Sequence, residues 1–195
     1  MNAIFRSLLL ASFAAAIVGA SATTAAADAK HPRIAIVTTA GTIVVELDAV
    51  HAPVTTANFL HLVDRKKYDG ATFYRSVNRA QEPSSEIEVI QGGLRENAPA
   101  QTIPLERTAT TGLHNTDGEI SMARTSDPNS GSSEFFLCIG DNTFLDSDHQ
   151  PDGNGYAAFG HVVRGMDVVK AINVLPTQAE MLPTPVRIIR MRRVN

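Results

Sequence analysis

The chain has 195 residues, a net charge of −3, a hydrophobic fraction of 44% and a single cysteine. The slightly acidic balance argues against a nucleic-acid-binding protein, which normally carries a basic patch. The single cysteine, Cys138, excludes an internal disulfide, and its apolar neighbours predict a buried, unreactive thiol. The length suits one domain with a sizeable core.

The first segment has the features of a secretory signal peptide. Arg6 precedes an apolar run that reaches Ala20, and small residues follow. The run is shorter than the ~20 apolar residues that a transmembrane helix needs. Residues 25–27 form an A-x-A cleavage site, and a second site ends at Ala22. We therefore expect a signal peptide at 1–27 and a mature domain at 28–195, with an uncleaved anchor as the alternative.

The pattern of the mature chain is mainly that of short strands. Apolar and β-branched residues at 33–38 and 42–47 flank a short turn with Gly41, which predicts a β-hairpin. Pro53 opens a helical pattern that ends at Gly70, because proline is favoured at the first helical position. Further strands are predicted at 72–77, 86–91, 119–123, 134–139, 156–163 and 186–193, and a second helix at 166–174. This pattern favours a closed or nearly closed antiparallel barrel, but does not by itself exclude an open sandwich.

The sequence lacks the ordinary catalytic and metal-binding motifs. Its six histidines show no metal-ligand spacing, and there is no HExxH motif or Cys/His cluster. No serine lies in a G-x-S-x-G turn. The glycines after Gln91 are not followed by a phosphate-binding helix, and we expect them to allow a close backbone approach or a bend. Asp146 and Asp148 lie in a polar loop and are expected to be solvated.

Seven short motifs follow one another around Arg75. They are F-x-R at 73–75, Q-G-G at 91–93, S-M-A-R at 121–124, S-x-F-F at 133–136, F-L-D at 144–146, Y-A-x-F-G-x-V at 156–162 and G-M-D-V-V at 165–169. Their order resembles the cyclophilins, the peptidyl-prolyl cis/trans isomerases, and is most similar to the bacterial exported members. The resemblance implies a mainly β fold, a closed eight-stranded antiparallel β-barrel capped by two α-helices. It also implies an external groove that binds an Xaa-Pro peptide.

The resemblance also implies a role for individual residues. Arg75 matches the catalytic arginine, and Gln91 matches the glutamine that hydrogen-bonds the substrate backbone. Phe136 with Leu145 lines the proline pocket, and Val89 forms an apolar wall. The other residues expected to contact the peptide are Phe73, Ala123, Arg124, Glu134, Phe144 and Tyr156. No cofactor, metal or covalent intermediate is implied.

The implied partners are proline-containing peptides and unfolded exported proteins. The predicted signal peptide implies a periplasmic protein that is not stably inserted in a membrane after signal cleavage, and the absence of a basic patch implies that it binds no nucleic acid. We also expect a monomer. Phe144 stands where many members have a tryptophan that contacts cyclosporin, so weak cyclosporin binding is expected.

The chain departs from the family pattern beside the expected groove. Residues 78–86 form a polar insertion, which we expect to be a loop. Glu88 falls where many members have a pocket phenylalanine, so one apolar wall is either absent or supplied by Ile87 through a shifted register. Arg124 and Glu134 replace neutral residues, and their opposite charges predict a cross-strand pair.

Two other functions compete with that of an isomerase. Glu88 favours a proline-peptide binding module or chaperone of the same fold with weak or no catalysis. A small-molecule binder of the lipocalin type is the third hypothesis. It is disfavoured because the interior of an eight-stranded barrel is usually filled by side chains.

Overall fold

The computed structural model describes residues 29–95 and 101–195, and the predicted signal peptide lies outside them. The strands are β1 (Arg33–Thr38), β2 (Gly41–Leu47), β3 (Thr72–Val77), β4 (Val89–Gly93), β5 (Glu119–Met122), β6 (Phe135–Cys138), β7 (Ala157–Arg164) and β8 (Met181–Val194). The helices are α1 (Pro53–Asp64), α2 (Thr108–Thr111) and α3 (Met166–Asn173), with a 3₁₀ turn at Thr143–Leu145. In this part of the chain, no helix has the length and apolar character needed to cross a membrane.

The eight strands form a closed barrel in the order β1-β2-β7-β5-β6-β4-β3-β8, and every neighbouring pair is antiparallel. The predicted barrel is therefore confirmed. Helix α1 packs against β7 and β8, and α3 packs against β2, β3 and β4. The single-turn helix α2 was not predicted; it ends at Gly112, whose φ of 73° is the left-handed conformation that favours glycine.

Helix α1 begins at Pro53, as predicted, and its first turn is capped from a distant segment. The Glu106 carboxylate accepts hydrogen bonds from the backbone N–H groups of Val54 (3.0 Å) and Thr55 (2.8 Å). This satisfies two of the donors that a helix leaves unpaired at its start. The helix ends at Asp64, earlier than predicted, because the chain turns at Lys66 with a φ of 56°.

The barrel interior holds a cluster of fully buried aromatic rings. Its members are Phe59, Tyr68, Phe73, Phe135 and Phe159. The ring of Phe135 lies 5.5–5.8 Å from those of Phe59, Tyr68 and Phe73, in edge-to-face arrangements. The Tyr68 hydroxyl donates to the Ser133 carbonyl at 2.9 Å, so its polar end is satisfied inside the core.

A second, smaller cluster lies on the outer face of the sheet. It consists of Val77, Val89, Phe136, Cys138 and Leu145. Cys138 is fully buried there, as predicted, and burial raises the pKa of its thiol well above the ordinary range. Such a thiol is held in its unreactive protonated form.

Glu119 at the start of β5 gives the fold a pH dependence. Burial, with a smaller contribution from the charge of Asp48, raises the pKa of this carboxyl to about 8, so the folded protein holds its proton more tightly than the unfolded chain. The resulting destabilisation is absent below about pH 4.5 and grows as the pH rises toward 8. We expect Glu119→Gln to raise the free energy of unfolding by about 1–3 kcal/mol at pH 8.5 and hardly at all at pH 4.5.

Urea unfolding of the wild type and Glu119→Gln at both pH values measures this effect. Glu86→Gln, at an exposed loop position, is the matched control and should change neither value. An equal stability change at both pH values in Glu119→Gln would show that the carboxyl is not protonated in the folded barrel.

Candidate active site

Arg75 reaches the outer face of the barrel because β3 contains a bulge. The register between β3 and β4 pairs Phe73 with Gly92 and Arg75 with Gln91, which leaves Tyr74 as the extra residue. Without the bulge, Phe73 and Arg75 would share a face, because side chains alternate along a strand. With it, Phe73 enters the core and Arg75 points outward.

Three strands bring the central residues of the site together. Arg75 on β3 is paired with Gln91 on β4, and Gln91 is paired with Phe136 on β6. Arg75 Nη1 donates to Gln91 Oε1 at 2.8 Å. The sheet therefore places a cation, an amide and an aromatic ring side by side on one outward surface.

These residues line a surface cavity of about 140 Å³. Its lining residues are Arg75, Ile87, Val89, Gln91, Ala123, Arg124, Phe136, Leu145 and Tyr156. Eight of them are among the residues that the sequence analysis placed in a substrate groove. The cavity thus combines an apolar wall with two arginines, of which Arg75 is 29% exposed and Arg124 is 8% exposed.

Ile87 supplies the apolar wall of the cavity, which is one of the two outcomes expected from the sequence. It lines the cavity and packs against the outer cluster. Glu88, the next residue, has its carboxylate 3.7 Å from Arg79 Nη1 and is absent from the cavity lining. The two neighbours point apart, as adjacent residues of an extended chain do. The insertion at 78–86 is a loop, as predicted, and Arg79 fixes it to the Asp141 carbonyl at 2.7 Å.

Three of the residues predicted to contact a peptide do not line the cavity. Phe73 is fully buried in the barrel core because the bulge at Tyr74 places its side chain on the inner face of the sheet. Phe144 is 42% exposed on the 3₁₀ turn. Glu134 is absent from the lining, and its carboxylate accepts a hydrogen bond from the Tyr74 hydroxyl.

A chain of hydrogen bonds fixes the orientation of the Gln91 amide. The Glu134 carboxylate accepts from the Tyr74 hydroxyl at 2.5 Å, and that hydroxyl accepts from Gln91 Nε2 at 2.8 Å. Burial and the Glu134 carboxylate raise the pKa of Tyr74 well above its ordinary value, so the hydroxyl keeps its proton and donates it. Because the Glu134 carboxylate can only accept, the Tyr74 hydroxyl donates to it and accepts from the NH₂ group of Gln91. The amide oxygen of Gln91, Oε1, therefore faces Arg75.

The glycines after Gln91 make room for this chain. A Cβ at Gly93 would lie 2.5 Å from the Glu134 carboxylate, and one at Gly92 would lie 2.8 Å from the Thr72 carbonyl oxygen. The close approach expected from the Gln-Gly-Gly motif is therefore confirmed. Glu134 also accepts from the Arg95 backbone N–H at 2.6 Å.

The predicted pair between Arg124 and Glu134 is wrong. Arg124 Nε donates to the Gly155 carbonyl at 2.7 Å, and its guanidinium stacks 4.7 Å from the centre of the Tyr156 ring. The Tyr156 ring in turn meets Phe136 edge-on at 5.6 Å. The Glu134 carboxylate thus contacts Tyr74, and the Arg124 guanidinium supports the aromatic side of the cavity.

Arg75 has an acidic partner that no sequence motif indicates. Glu180 Oε2 accepts from Arg75 Nε at 2.8 Å and lies 2.6 Å from Nη2. Glu180 is 105 residues away in the chain and precedes β8, so no local pattern connects the two. The predicted strand began at 186, whereas β8 begins at Met181, which brings Glu180 to the start of the strand beside β3.

One group of potential metal ligands lies in the described part of the chain, at Asp146, Asp148 and His149. The expectation that Asp146 is solvated is wrong. Its side chain is 1% exposed, lies 2.7 Å from His114 Nδ1 and accepts from the Asn115 backbone N–H at 2.8 Å. Asp146 therefore ties its loop to the segment that contains His114 and Asn115.

On the activity that the resemblance implies, rotation about Xaa-Pro bonds, Tyr74→Phe should lower kcat/KM for an Ala-Pro peptide by about 2- to 10-fold, the equivalent of one hydrogen bond. Without the hydroxyl, only the contact with Arg75 orients the Gln91 amide. The amide can then turn its nitrogen toward Arg75, which leaves Glu180 as the one acceptor that holds the guanidinium. Tyr68→Phe also removes a buried hydroxyl, but from the core. It is the matched control and should reduce stability without changing kcat/KM. Equal losses in the two variants would contradict a role for Tyr74 in the site.

Comparison with known proteins identifies the family of the chain. The family model described as "Cyclophilin type peptidyl-prolyl cis-trans isomerase/CLD" matches residues 33–193, which is nearly all of the described chain. The chain belongs to this cyclophilin family. A peptidyl-prolyl cis-trans isomerase of Streptomyces antibioticus is 38% identical to this cyclophilin over 143 residues, which cover 72% of this chain and 82% of the relative. Peptidyl-prolyl cis-trans isomerase B of Escherichia coli is 37% identical over 141 residues, with 70% and 81% covered.

A solved structure shows the same fold. A cyclophilin type peptidyl-prolyl cis-trans isomerase of Cryptosporidium parvum matches this cyclophilin with a TM-score of 0.71 at 19% identity, covering 85% of this chain and 98% of the other. The same parasite protein has been crystallised in the presence of the dipeptide Ala-Pro and matches with a TM-score of 0.69.

Proposed function

We propose that this cyclophilin accelerates cis/trans rotation about Xaa-Pro bonds and that Arg75 is its catalytic residue. The observation that carries the proposal is the position of the Arg75 guanidinium, at the edge of an apolar cavity formed by Val89, Phe136 and Leu145. That arrangement joins a pocket for an apolar ring to a partly exposed, charged hydrogen-bond donor, whereas Arg124, the other arginine of the lining, is 8% exposed. Family membership and the names of the relatives support the same activity.

The reaction needs no covalent chemistry. An Xaa-Pro bond is held planar by amide resonance, and rotation about a peptide bond crosses a barrier of ~18–20 kcal/mol. Uncatalysed exchange takes tens to hundreds of seconds. In the twisted transition state, resonance is lost and the prolyl nitrogen regains a lone pair. A donor aimed at that nitrogen stabilises the twisted state over both planar states, which is the condition for catalysis.

Each part of the site has a role in this proposal. The apolar walls hold the proline ring still, so that rotation moves the acyl side of the bond. Arg75 donates toward the prolyl nitrogen, and arginine suits this role because it stays charged and its donors lie in a rigid plane. Gln91 has one Nε2 hydrogen directed to Tyr74, which leaves the second for the peptide backbone. Ala123 and Tyr156 line the remainder of the groove.

The competing hypothesis of a binding module without efficient catalysis rested on Glu88. Because Ile87, not Glu88, lines the cavity, that reason no longer holds. The other alternative, a ligand inside the barrel, is disfavoured by the five aromatic rings that fill the interior.

Exchange NMR on an Ala-Pro peptide tests the proposed activity. At a micromolar concentration of the protein, we expect exchange cross-peaks between the cis and trans forms on a time scale at which the free peptide shows none. Exchange no faster than in buffer, with binding still detected by chemical-shift changes, would instead support the binding module.

We further propose that the clients are exported proteins in the periplasm. The support is the N-terminal sequence, with Arg6, the apolar run and the A-x-A site at 25–27. Mass spectrometry of the protein from the periplasmic fraction should give an N-terminus after Ala22 or Ala27. Full-length protein in the cytoplasmic fraction would contradict this location.

A further inference from the structure

We propose that Glu180 is a positioning residue for the catalytic arginine: it holds one edge of the Arg75 guanidinium so that the remaining donors face the groove. The proposal rests on the function assigned to Arg75 above. It concerns a residue that lies outside the cavity lining and that none of the sequence motifs contains.

The contact occupies a defined part of the guanidinium. Glu180 Oε2 accepts from Nε at 2.8 Å and lies 2.6 Å from Nη2, while Gln91 Oε1 accepts from Nη1 at 2.8 Å. An arginine has five N–H donors in one plane. Two of them, on Nε and Nη1, make hydrogen bonds to Glu180 and Gln91, and Nη2 is in ion-pair contact with Glu180. The remaining hydrogens on Nη1 and Nη2 stay available. The plane of the group is fixed from two sides while its other edge is left for a ligand.

The backbone around Glu180 is in an unusual conformation. Gln178 and Met181 exchange hydrogen bonds of 2.9 and 3.0 Å across a two-residue turn. The two residues inside the turn, Ala179 and Glu180, have φ values of 48° and 64°. Both values lie in the left-handed region, which glycine and asparagine adopt readily and which costs other residues free energy.

This strain indicates a function for the side chain. Glycine at position 180 would satisfy the turn, yet the chain has a glutamate there. Strained residues persist where the surrounding structure holds them, and they concentrate at functional sites. The turn is also tied directly to the strand of Arg75, because the Ser76 N–H donates to the Glu180 carbonyl at 2.8 Å. The backbone contact and the ion pair therefore fix Glu180 and Arg75 to each other.

Positioning of this kind acts on the chemical step. A guanidinium held at the edge of the groove loses little freedom when the transition state forms, which is the advantage of preorganised donors. Without Glu180, Gln91 alone would orient the arginine. Removal of Glu180 should therefore lower kcat while leaving KM nearly unchanged, because the apolar wall that holds the proline ring stays intact.

The chain offers a matched control in the ion pair between Arg193 on β8 and Asp64 at the end of α1. Arg193 Nε and Nη2 donate to the Asp64 carboxylate at 2.9 and 2.8 Å, and both of these side chains are 49% exposed. This ion pair has the same donor atoms as the pair at Arg75, but lies at the other end of β8, outside the cavity lining. Asp64→Ala therefore reproduces the loss of a carboxylate–guanidinium pair without touching the site.

Kinetics on the Ala-Pro peptide test the proposal. We expect Glu180→Ala to lower kcat about 10-fold with KM within 2-fold, and Glu180→Gln to lower it less, because an amide oxygen still accepts. Asp64→Ala should change neither constant. Adding Glu180→Ala to Arg75→Ala should produce no further loss. An equal loss in the Arg75→Ala background, or wild-type kcat in Glu180→Ala, would overturn the proposal.

Stability separates positioning from a structural role. Glu180→Gly relieves the left-handed strain, so its Tm should equal or exceed that of the wild type while kcat falls as in Glu180→Ala. A loss of activity that follows a loss of Tm across these variants would mean that Glu180 only supports the fold.

A third measurement does not depend on activity. In the full mature protein labelled with ¹⁵N, the Arg75 Nε–H should exchange slowly with water in the wild type and rapidly in Glu180→Ala. Rapid exchange in the wild type would overturn the positioning of Arg75. Slow exchange that depends on Glu180, in a protein with no isomerase activity, would instead uphold the positioning and refute the proposed function.

Discussion

Arg75→Ala should lower kcat/KM for an Ala-Pro peptide by about 100- to 1000-fold, the loss typical of removing one preorganised donor to developing charge. The expected cause is the loss of stabilisation of the prolyl nitrogen in the twisted state. The barrel should stay folded, because the side chain is on the outer face and 29% exposed. Exchange NMR gives the rate, and far-UV circular dichroism with thermal melting gives the fold.

Two further variants make this result specific. Arg75→Lys keeps the charge but not the rigid plane of donors, so most of the loss should persist. Arg190→Ala removes an exposed arginine near the far end of β8 and should leave kcat/KM unchanged. Wild-type activity in Arg75→Ala would exclude Arg75 as the catalytic residue.

Two adjacent phenylalanines should produce opposite phenotypes, and this is the second large effect that we expect. Phe135→Ala should reduce the free energy of unfolding by about 3–5 kcal/mol, the range for a buried phenylalanine. The ring is fully buried and contacts three other aromatic rings, so its removal leaves a cavity at the centre of the core. Urea unfolding measures the loss.

Phe136→Ala should act mainly on the peptide. The Phe136 side chain belongs to the outer cluster and lines the groove, where we propose that it contacts the proline ring. We expect KM for the Ala-Pro peptide to rise at least 10-fold, with a smaller stability loss than in Phe135→Ala. Phe136→Leu keeps an apolar wall and should restore most of the binding. A larger stability loss in Phe136→Ala than in Phe135→Ala would contradict the assignment of Phe135 to the core and of Phe136 to the groove.

The sequence determined the elements of the fold well, because their signals are local. The alternation of apolar residues and the position of Pro53 predicted the hairpin, most strands and the start of α1 without reference to the rest of the chain. The ordered motifs predicted Arg75 and Gln91 on one surface, and the register between β3 and β4 pairs them directly.

Tertiary structure decided the facing of side chains wherever the two-residue alternation was interrupted. The bulge at Tyr74 sends Phe73 into the core and Arg75 to the surface, although their spacing alone predicts a shared face. Glu88 and Ile87 were left unresolved for the same reason. One extra residue in a strand moves every following side chain to the opposite face of the sheet. In a strand of six residues, the hydrophobic pattern does not reveal where the extra residue lies.

Tertiary structure also decided which charges meet. Arg124 and Glu134 were predicted to pair because their strands are neighbours. Instead, Arg124 donates to the Gly155 carbonyl and Glu134 accepts from the Tyr74 hydroxyl. Glu180 meets Arg75 across 105 residues, through a turn that carries no glycine to signal it. The sequence by itself determined the family pattern and the catalytic candidate, because both depend on residue order. The groups that orient that candidate depend on closure of the barrel, which joins β8 to β3 and so brings Glu180 to Arg75.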